Sequence, residues 1–190
     1  MSARQGAARL GLLKQGLAAA TILSVPASLG LVGTSPTLVA LLLPGQVEGG
    51  PLPLLLAWFA VPLIFGAWNA LLARYAYAAG DTRLPLRCEL WGSLCTALLL
   101  ISLPFAIGVV GVALAALAGV LVTGLLLMQR QGLLADVDWG RQWLLGLLLL
   151  GLMAAVLYPL EPGWLQLGLG TLVSSLVLMA LAAWLKPWRA

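Results

Sequence analysis

Charged residues are so scarce in this chain that they divide it into long uncharged segments, and these segments limit the folds it can adopt. The segments cover residues 15–47, 49–73, 90–129, 142–160 and 162–185. Because a helix rises about 1.5 Å per residue, roughly 20 residues cross a hydrocarbon core about 30 Å thick. Hydrophobic residues make up 62% of the chain, more than a soluble domain of this length buries. The sequence therefore predicts an all-α integral membrane protein.

The longest uncharged segment, 90–129, must turn back on itself, since its 40 residues would form a helix of about 60 Å. We expect the turn within LPFAIG, at Pro104 and Gly108. The first segment is also too long for one straight span, and Pro26 favours a kinked or broken helix there. Residues 1–190 are thus predicted to form a single membrane domain of about six spans, near 12–43, 53–78, 85–103, 107–129, 141–159 and 164–185.

The lysines and arginines indicate which way the spans cross the membrane. All ten lie in, or within a few residues of, the segment before the first span, the alternate loops or the segment after the last span. The other loops contain Glu48 and Glu161 and no cation. Because cations in short loops favour the cytoplasmic side, both termini are predicted to be cytoplasmic.

The loop between the second and third spans, YAAGDTRLPLR, gathers much of the scarce charge. Gly80 is expected to close one helix and Pro85 to open the next. The Asp81 carboxylate is expected to accept backbone N–H groups at the start of the third span. Glu89, one turn into that span, is expected either to reach the membrane interface or to pair with a loop arginine.

Residues that carry chemistry are few. The chain has no histidine, and its two cysteines, Cys88 and Cys95, lie seven residues apart within one span, where small apolar packing is their simplest role. No catalytic residue, metal site, cofactor or nucleic-acid partner is predicted. An enzymatic function is not expected.

Two helix faces stand out by their residue types. On the fourth span, small residues recur every four positions and form a packing stripe that would admit a neighbouring backbone: Gly111, Ala115, Gly119 and Thr123. On the first span, polar residues share a face that runs toward Pro26: Lys14, Thr21, Ser24 and Ser28. These hydroxyls either bond their own helix or line a water-accessible substrate cavity. Asn69, on the second span, is a further cavity candidate and could also bridge helices by hydrogen bonds.

Three motifs, in this order, resemble the carboxyl-terminal part of the MurJ (MviN) lipid II flippases, which belong to the multidrug/oligosaccharidyl-lipid/polysaccharide exporter superfamily. They are a kink followed by a glycine-leucine pair, a loop of the form Tyr-Ala-x-x-Asp-Thr-x-x-Pro, and a helix start of the form Gly-x-x-Gly-x-Ala-Leu-Ala. The matching positions are Val25, Pro26, Ala27, Gly30 and Leu31; Tyr77, Ala78, Asp81, Thr82 and Pro85, with Arg83 inside the loop; and Gly108, Gly111, Ala113, Leu114 and Ala115.

The resemblance implies a multi-pass protein of the bacterial cytoplasmic membrane that moves an undecaprenyl-linked peptidoglycan precursor by alternating access. Family members commonly place an arginine about two turns before the kink proline. That position, near Ala18, is apolar here, and Lys14 is the nearest cation. The resemblance therefore implies that Lys14 supplies the cavity cation and that the Asp81 loop acts as a hinge.

Family members contain two helical lobes and a final helix pair, and this chain resembles the second lobe and that pair. A separate chain that supplies the amino-terminal lobe is therefore an expected partner, beside the bilayer and a lipid-linked saccharide. Two alternatives stay open. The chain could be a non-transporting truncated or half-transporter protein, or part of a flippase for another lipid-linked oligosaccharide.

Overall fold

The computed structural model describes residues 3–43, 50–134 and 163–185, and within these ranges it contains five helices and no strand. The helices are α1 (Ala3–Leu42), α2 (Leu52–Ala78), α3 (Arg83–Ile107), α4 (Val110–Arg130) and α5 (Trp164–Leu185). Each is long and apolar enough to cross a membrane, α1 over Ala8–Leu42. The predicted all-α membrane fold is confirmed. The predicted span 141–159 lies outside the described residues.

Helix α1 is continuous through Pro26 and Pro36. The sequence predicted either a kinked or a broken helix here, and the prediction of a broken helix is wrong. A proline removes the N–H that would bond the carbonyl four residues earlier. Pro36 frees the carbonyl of Val32 in this way, and the Ser35 hydroxyl donates to that carbonyl at 3.0 Å. A neighbouring side chain thus replaces the missing backbone donor, as membrane helices with internal prolines require.

The chain turns between α3 and α4 within the predicted segment LPFAIG, but the two helices meet the turn later than expected. Pro104 does not end α3, which continues to Ile107 instead of stopping at 103, and α4 begins at Val110 instead of 107. The chain reverses at Gly108, whose φ of +68° lies in the region that only glycine adopts without strain. Pro104 occupies the last turn of α3 and Gly108 makes the reversal.

The contacts between helices place them across the bundle in the order α5, α1, α2, α4, α3. α1 and α2 run antiparallel, since the Ser28 hydroxyl meets the carbonyl of Ala60 and Gly16 lies against Leu71. α5 runs antiparallel to α1, with Ser174 beside Gly30. α2 and α3 follow one another in the chain but touch only slightly, and α4 lies between them.

The cations whose side chains the structure describes gather at one end of the bundle, which we call the basic end. They are Arg9, Lys14, Arg74, Arg83, Arg87 and Arg130. α1 and α3 begin at this end, whereas α2 and α4 finish there. This arrangement agrees with the predicted topology, in which the loops that contain cations alternate with loops that contain none.

Large apolar side chains cover much of the outside of the bundle. On α3, Leu90, Leu98 and Ile101 are each at least 60% exposed, and on α5 Leu165 is 80% exposed. A soluble protein would bury residues of this kind, whereas a bilayer solvates them. The interior is filled by a smaller set that includes Leu29, Leu72 and Leu127.

Candidate functional site

Asp81 takes part in hydrogen bonds at both ends of the charged loop, at the end of α2 and at the start of α3. At the end of α2, Gly80 has a φ of +84° and its N–H donates to the Tyr77 carbonyl at 2.9 Å. The N–H of Asp81 donates to the Ala76 carbonyl at 3.1 Å. This pair of bonds is a Schellman motif, and it satisfies carbonyls that the helix end would otherwise leave free.

The Asp81 side chain caps α3, as its position predicts. Its Oδ1 accepts the N–H of Arg83 at 3.1 Å and that of Leu84 at 3.0 Å. Thr82 precedes the helix without a side-chain capping bond of its own, and Pro85 is buried in the first turn. The helix begins at Arg83 and not at 85. Pro85 therefore lies in the first turn, where backbone N–H groups have no partner within the helix, so its missing N–H costs no hydrogen bond.

Asp81→Ala should lower the free energy of unfolding by about 1 kcal/mol, because two helix-start N–H groups lose their acceptor. Thermal unfolding of the purified chain in detergent measures this. Asp81→Asn keeps the acceptor oxygen and should stay close to the parent protein. Equal losses for alanine and asparagine would contradict a capping role.

The polar residues of α1 do not form one open surface in this structure. The Thr21 hydroxyl donates to the Leu17 carbonyl at 2.8 Å and accepts the indole N–H of Trp68 at 3.0 Å. Ser28, which is 1% exposed, donates to the Ala60 carbonyl at 2.6 Å. Both hydroxyls therefore tie α1 to its own backbone or to α2.

Lys14 and Ser24 differ from these two residues. Lys14 is exposed, although its neighbour Leu13 and Leu17, about one turn further along, are buried. The buried hydroxyl oxygen of Ser24 has no hydrogen-bond partner among the described residues. Their assignment to a substrate cavity stays a prediction, and Lys14 is the member of the set that can reach an anion outside the bundle.

The small residues of α4 lie where α4 crosses α3. Gly111, Ala115 and Gly119 are buried, and a Cβ added to Gly119 would lie 1.8 Å from Thr96 Oγ1 and 2.7 Å from the Gly92 carbonyl oxygen. The relation is reciprocal, since a Cβ on Gly92 would lie 1.9 Å from Thr123 Oγ1. Each helix thus presents a glycine to the threonine of the other, and the backbones approach closely.

Each of these two threonines also bonds its own helix. The Thr96 hydroxyl donates to the Gly92 carbonyl and the Thr123 hydroxyl to the Gly119 carbonyl, both at 3.1 Å. Sequence reasoning found the small residues on α4 but not their counterparts on α3. Gly92 and Thr96 show the same four-residue spacing as Gly119 and Thr123, and that repeat was the available signal.

Asn69 lies in a groove between α2 and α3, away from the polar face of α1. Its Nδ2 donates to the Val120 carbonyl at 2.8 Å, and its Oδ1 lies beside Gly124. It therefore bridges α2 and α4, which was one of its two expected roles. The groove has a volume of about 310 Å³ and α4 forms its floor.

A polar contact at the end opposite the basic end escaped sequence reasoning. The Thr37 hydroxyl donates to Oε1 of Gln166, which is fully buried, and accepts the Gly163 N–H at 3.0 Å. These bonds join α1 to the start of α5. The partners are more than one hundred residues apart in the chain, so no local pattern could pair them.

Within the described ranges no group of three histidine, cysteine, aspartate or glutamate residues could hold a metal ion. Cys88 and Cys95 are both free thiols there, and Cys88 packs in the core.

In a comparison with protein families, residues 2–178, almost all of the chain, match the family described as lipid II flippase MurJ. The chain belongs to the MurJ lipid II flippase family. Comparison with curated proteins and with solved structures gives no match. The matched residues include α2, α3 and α4 entirely, together with every candidate site residue. Membership of the MurJ family and the apolar helices make this a multi-pass membrane protein of the lipid II flippase type, associated with transport and peptidoglycan biosynthesis.

Proposed function

We propose that this chain forms the carboxyl-terminal part of a flippase that moves lipid II, the undecaprenyl-linked peptidoglycan precursor, from the inner to the outer leaflet of the bacterial cytoplasmic membrane. The observation that carries the proposal is the MurJ family match over residues 2–178. The protein's action is transport by alternating access and not catalysis.

The charges of the bundle suit an anionic lipid headgroup. The diphosphate of a polyprenyl-linked precursor attracts cations, and hydrogen bonds between charged partners are among the strongest that side chains make. Lys14 is exposed near the basic end of α1, where an inner-leaflet headgroup would arrive. We assign to Lys14 the first contact with the diphosphate.

The loop around Asp81 is the hinge in this proposal. α2 and α3 touch only slightly, yet both of their ends at the loop are tied to Asp81 by hydrogen bonds. A motion of α3 with α4 relative to α2 would pivot at Asp81 with both helix ends intact, and it would have to separate α4 from α2 and break the bond from Asn69 to the Val120 carbonyl. Such rigid-body motion about a short connection is typical of transporter cycles.

We propose that these spans act together with an amino-terminal lobe of the family's architecture. A substrate cavity between two lobes would place Lys14 and Ser24 opposite groups of the other lobe. That lobe is identified by its role: several membrane spans with cations facing the cavity.

A second candidate function is a non-transporting membrane protein of this fold. The bonds of Thr21 and Ser28 favour it, because both hydroxyls are used within the bundle and neither lines an open surface. A purely structural bundle would show the same contacts.

Depletion of the chain in a cell that depends on it separates the two functions. If it is part of a flippase, lipid II should accumulate on the cytoplasmic leaflet, measured by its protection from a reagent added outside. Accumulation of a different lipid-linked saccharide would assign another substrate. Unchanged leaflet distribution of all such lipids would support the non-transporting function.

A further inference from the structure

The groove between α2 and α3 is unrelated to the polar residues of α1 on which the transport proposal depends. Its volume of about 310 Å³ lies at the lower end of the range of small-molecule sites. Gly66 and Ala70 of α2 and Ser93 of α3 line it and are also exposed, so the groove opens to the outside of the described bundle. Since that outside is bilayer for a membrane helix, lipid can enter the groove.

The walls of the groove are built from small residues. Gly66, Ala70 and Ala73 recur at three- and four-residue steps along α2 and face Gly92 and Ser93 of α3. Such side chains leave a trough between the two helices, and the floor residue Leu127 is apolar. A trough of this shape accommodates an acyl chain that lies along the helices.

Two opposite charges stand at the basic end of the groove. Glu89 lines it from α3, is exposed, and forms no ion pair with any described residue. Arg74 follows Ala70 by one helical turn, so it continues the groove-facing side of α2, and it is exposed. The Glu89 carboxylate lies at the headgroup end of the groove without an ion-pair partner among the described residues, so it attracts a ligand that carries a cation.

We propose that the groove binds a zwitterionic aminophospholipid such as phosphatidylethanolamine. Its ammonium group donates hydrogen bonds to the Glu89 carboxylate, its phosphate accepts from Arg74, and one acyl chain lies between Ala70 and Gly92. An anionic phospholipid would supply the phosphate but no cation for Glu89. Glu89 on the α3 wall and Arg74, one turn beyond the lining residue Ala70 of α2, therefore select a headgroup that carries both signs.

Native mass spectrometry of the full chain, purified and delipidated in detergent, tests the site by titration with phosphatidylethanolamine or phosphatidylglycerol. The parent protein should bind phosphatidylethanolamine more tightly. Glu89→Gln should weaken phosphatidylethanolamine binding about fivefold and abolish the preference, as expected for a partly exposed ion pair. Glu89→Asp keeps the charge and should keep the preference.

Filling the trough gives a second, independent test. Ala70→Phe should weaken the binding of both lipids, because the ring occupies the place of the acyl chain. Ala97→Phe makes the same change at an exposed α3 position outside the groove and should leave binding unchanged. The proposal is overturned if phosphatidylglycerol binds as tightly as phosphatidylethanolamine, if Glu89→Gln keeps the preference, or if both phenylalanine variants bind alike.

Discussion

Lys14→Ala should abolish precursor export in a cell that depends on this chain and has any partner lobe supplied. The reason is that a hydrogen bond to a charged group contributes about 1.5–3 kcal/mol, a factor on the order of 10 to 100 in rate when it is lost from the transition state. Lys14 is exposed, so truncating it removes charge without opening a cavity in the core. Leaflet-specific detection of the precursor measures export, and immunoblotting of membranes measures the amount of chain.

Two variants control for charge and position. Lys14→Arg keeps the cation and should keep most export. Arg9→Ala removes another cation from the same end of α1 and should change export little, because Arg9 is not part of the predicted cavity face. Normal export by Lys14→Ala would reject the cavity-cation role and leave the cations as determinants of sidedness alone.

Gly119→Leu should prevent stable folding. A Cβ at this position would lie 1.8 Å from Thr96 Oγ1 and 2.7 Å from the Gly92 carbonyl oxygen, so a side-chain rotation alone cannot make room. Overpacking costs about 1–3 kcal/mol at ordinary sites and more where a backbone must move. The α3–α4 pair would have to separate, and the amount of membrane-inserted, protease-resistant protein should fall sharply.

Gly168→Leu is the matched control for this change. Gly168 is also inside a helix, but nothing lies within 4 Å of a Cβ added there. The same substitution should therefore leave the protease-resistant fraction close to that of the parent. Similar resistance of the two variants would show that the α3–α4 crossing does not need small residues.

The membrane fold could be predicted from sequence because the bilayer acts on each segment locally. A run such as 53–78 needs only its own length and composition to be identified as a span, and α2 occupies 52–78. The Asp81 cap is equally local, since acceptor and donors lie within three residues. The position of the α3–α4 turn was harder, because Pro104 fits the last turn of a helix as well as it fits a break.

Contacts between helices were mostly beyond prediction. The small residues on α4 indicated a close neighbour, but Gly92 and Thr96 could be assigned to it only once the α3–α4 crossing was known. The bond from Thr37 to Gln166 depends on how α5 returns to α1, which periodicity does not encode. The polar residues of α1 could be listed from the sequence, but the use of Thr21 and Ser28 against α2 depends on that packing.

Movement of lipid II across a sealed bilayer is the direct test of the proposed function. The chain and an amino-terminal lobe are reconstituted in vesicles that carry fluorescent lipid II on the inner leaflet, and a membrane-impermeant quencher outside reports its arrival on the outer leaflet. Vesicles with both parts should lose fluorescence faster than vesicles with Lys14→Ala in place of the parent chain. Equal rates for parent, Lys14→Ala and protein-free vesicles would contradict a flippase role.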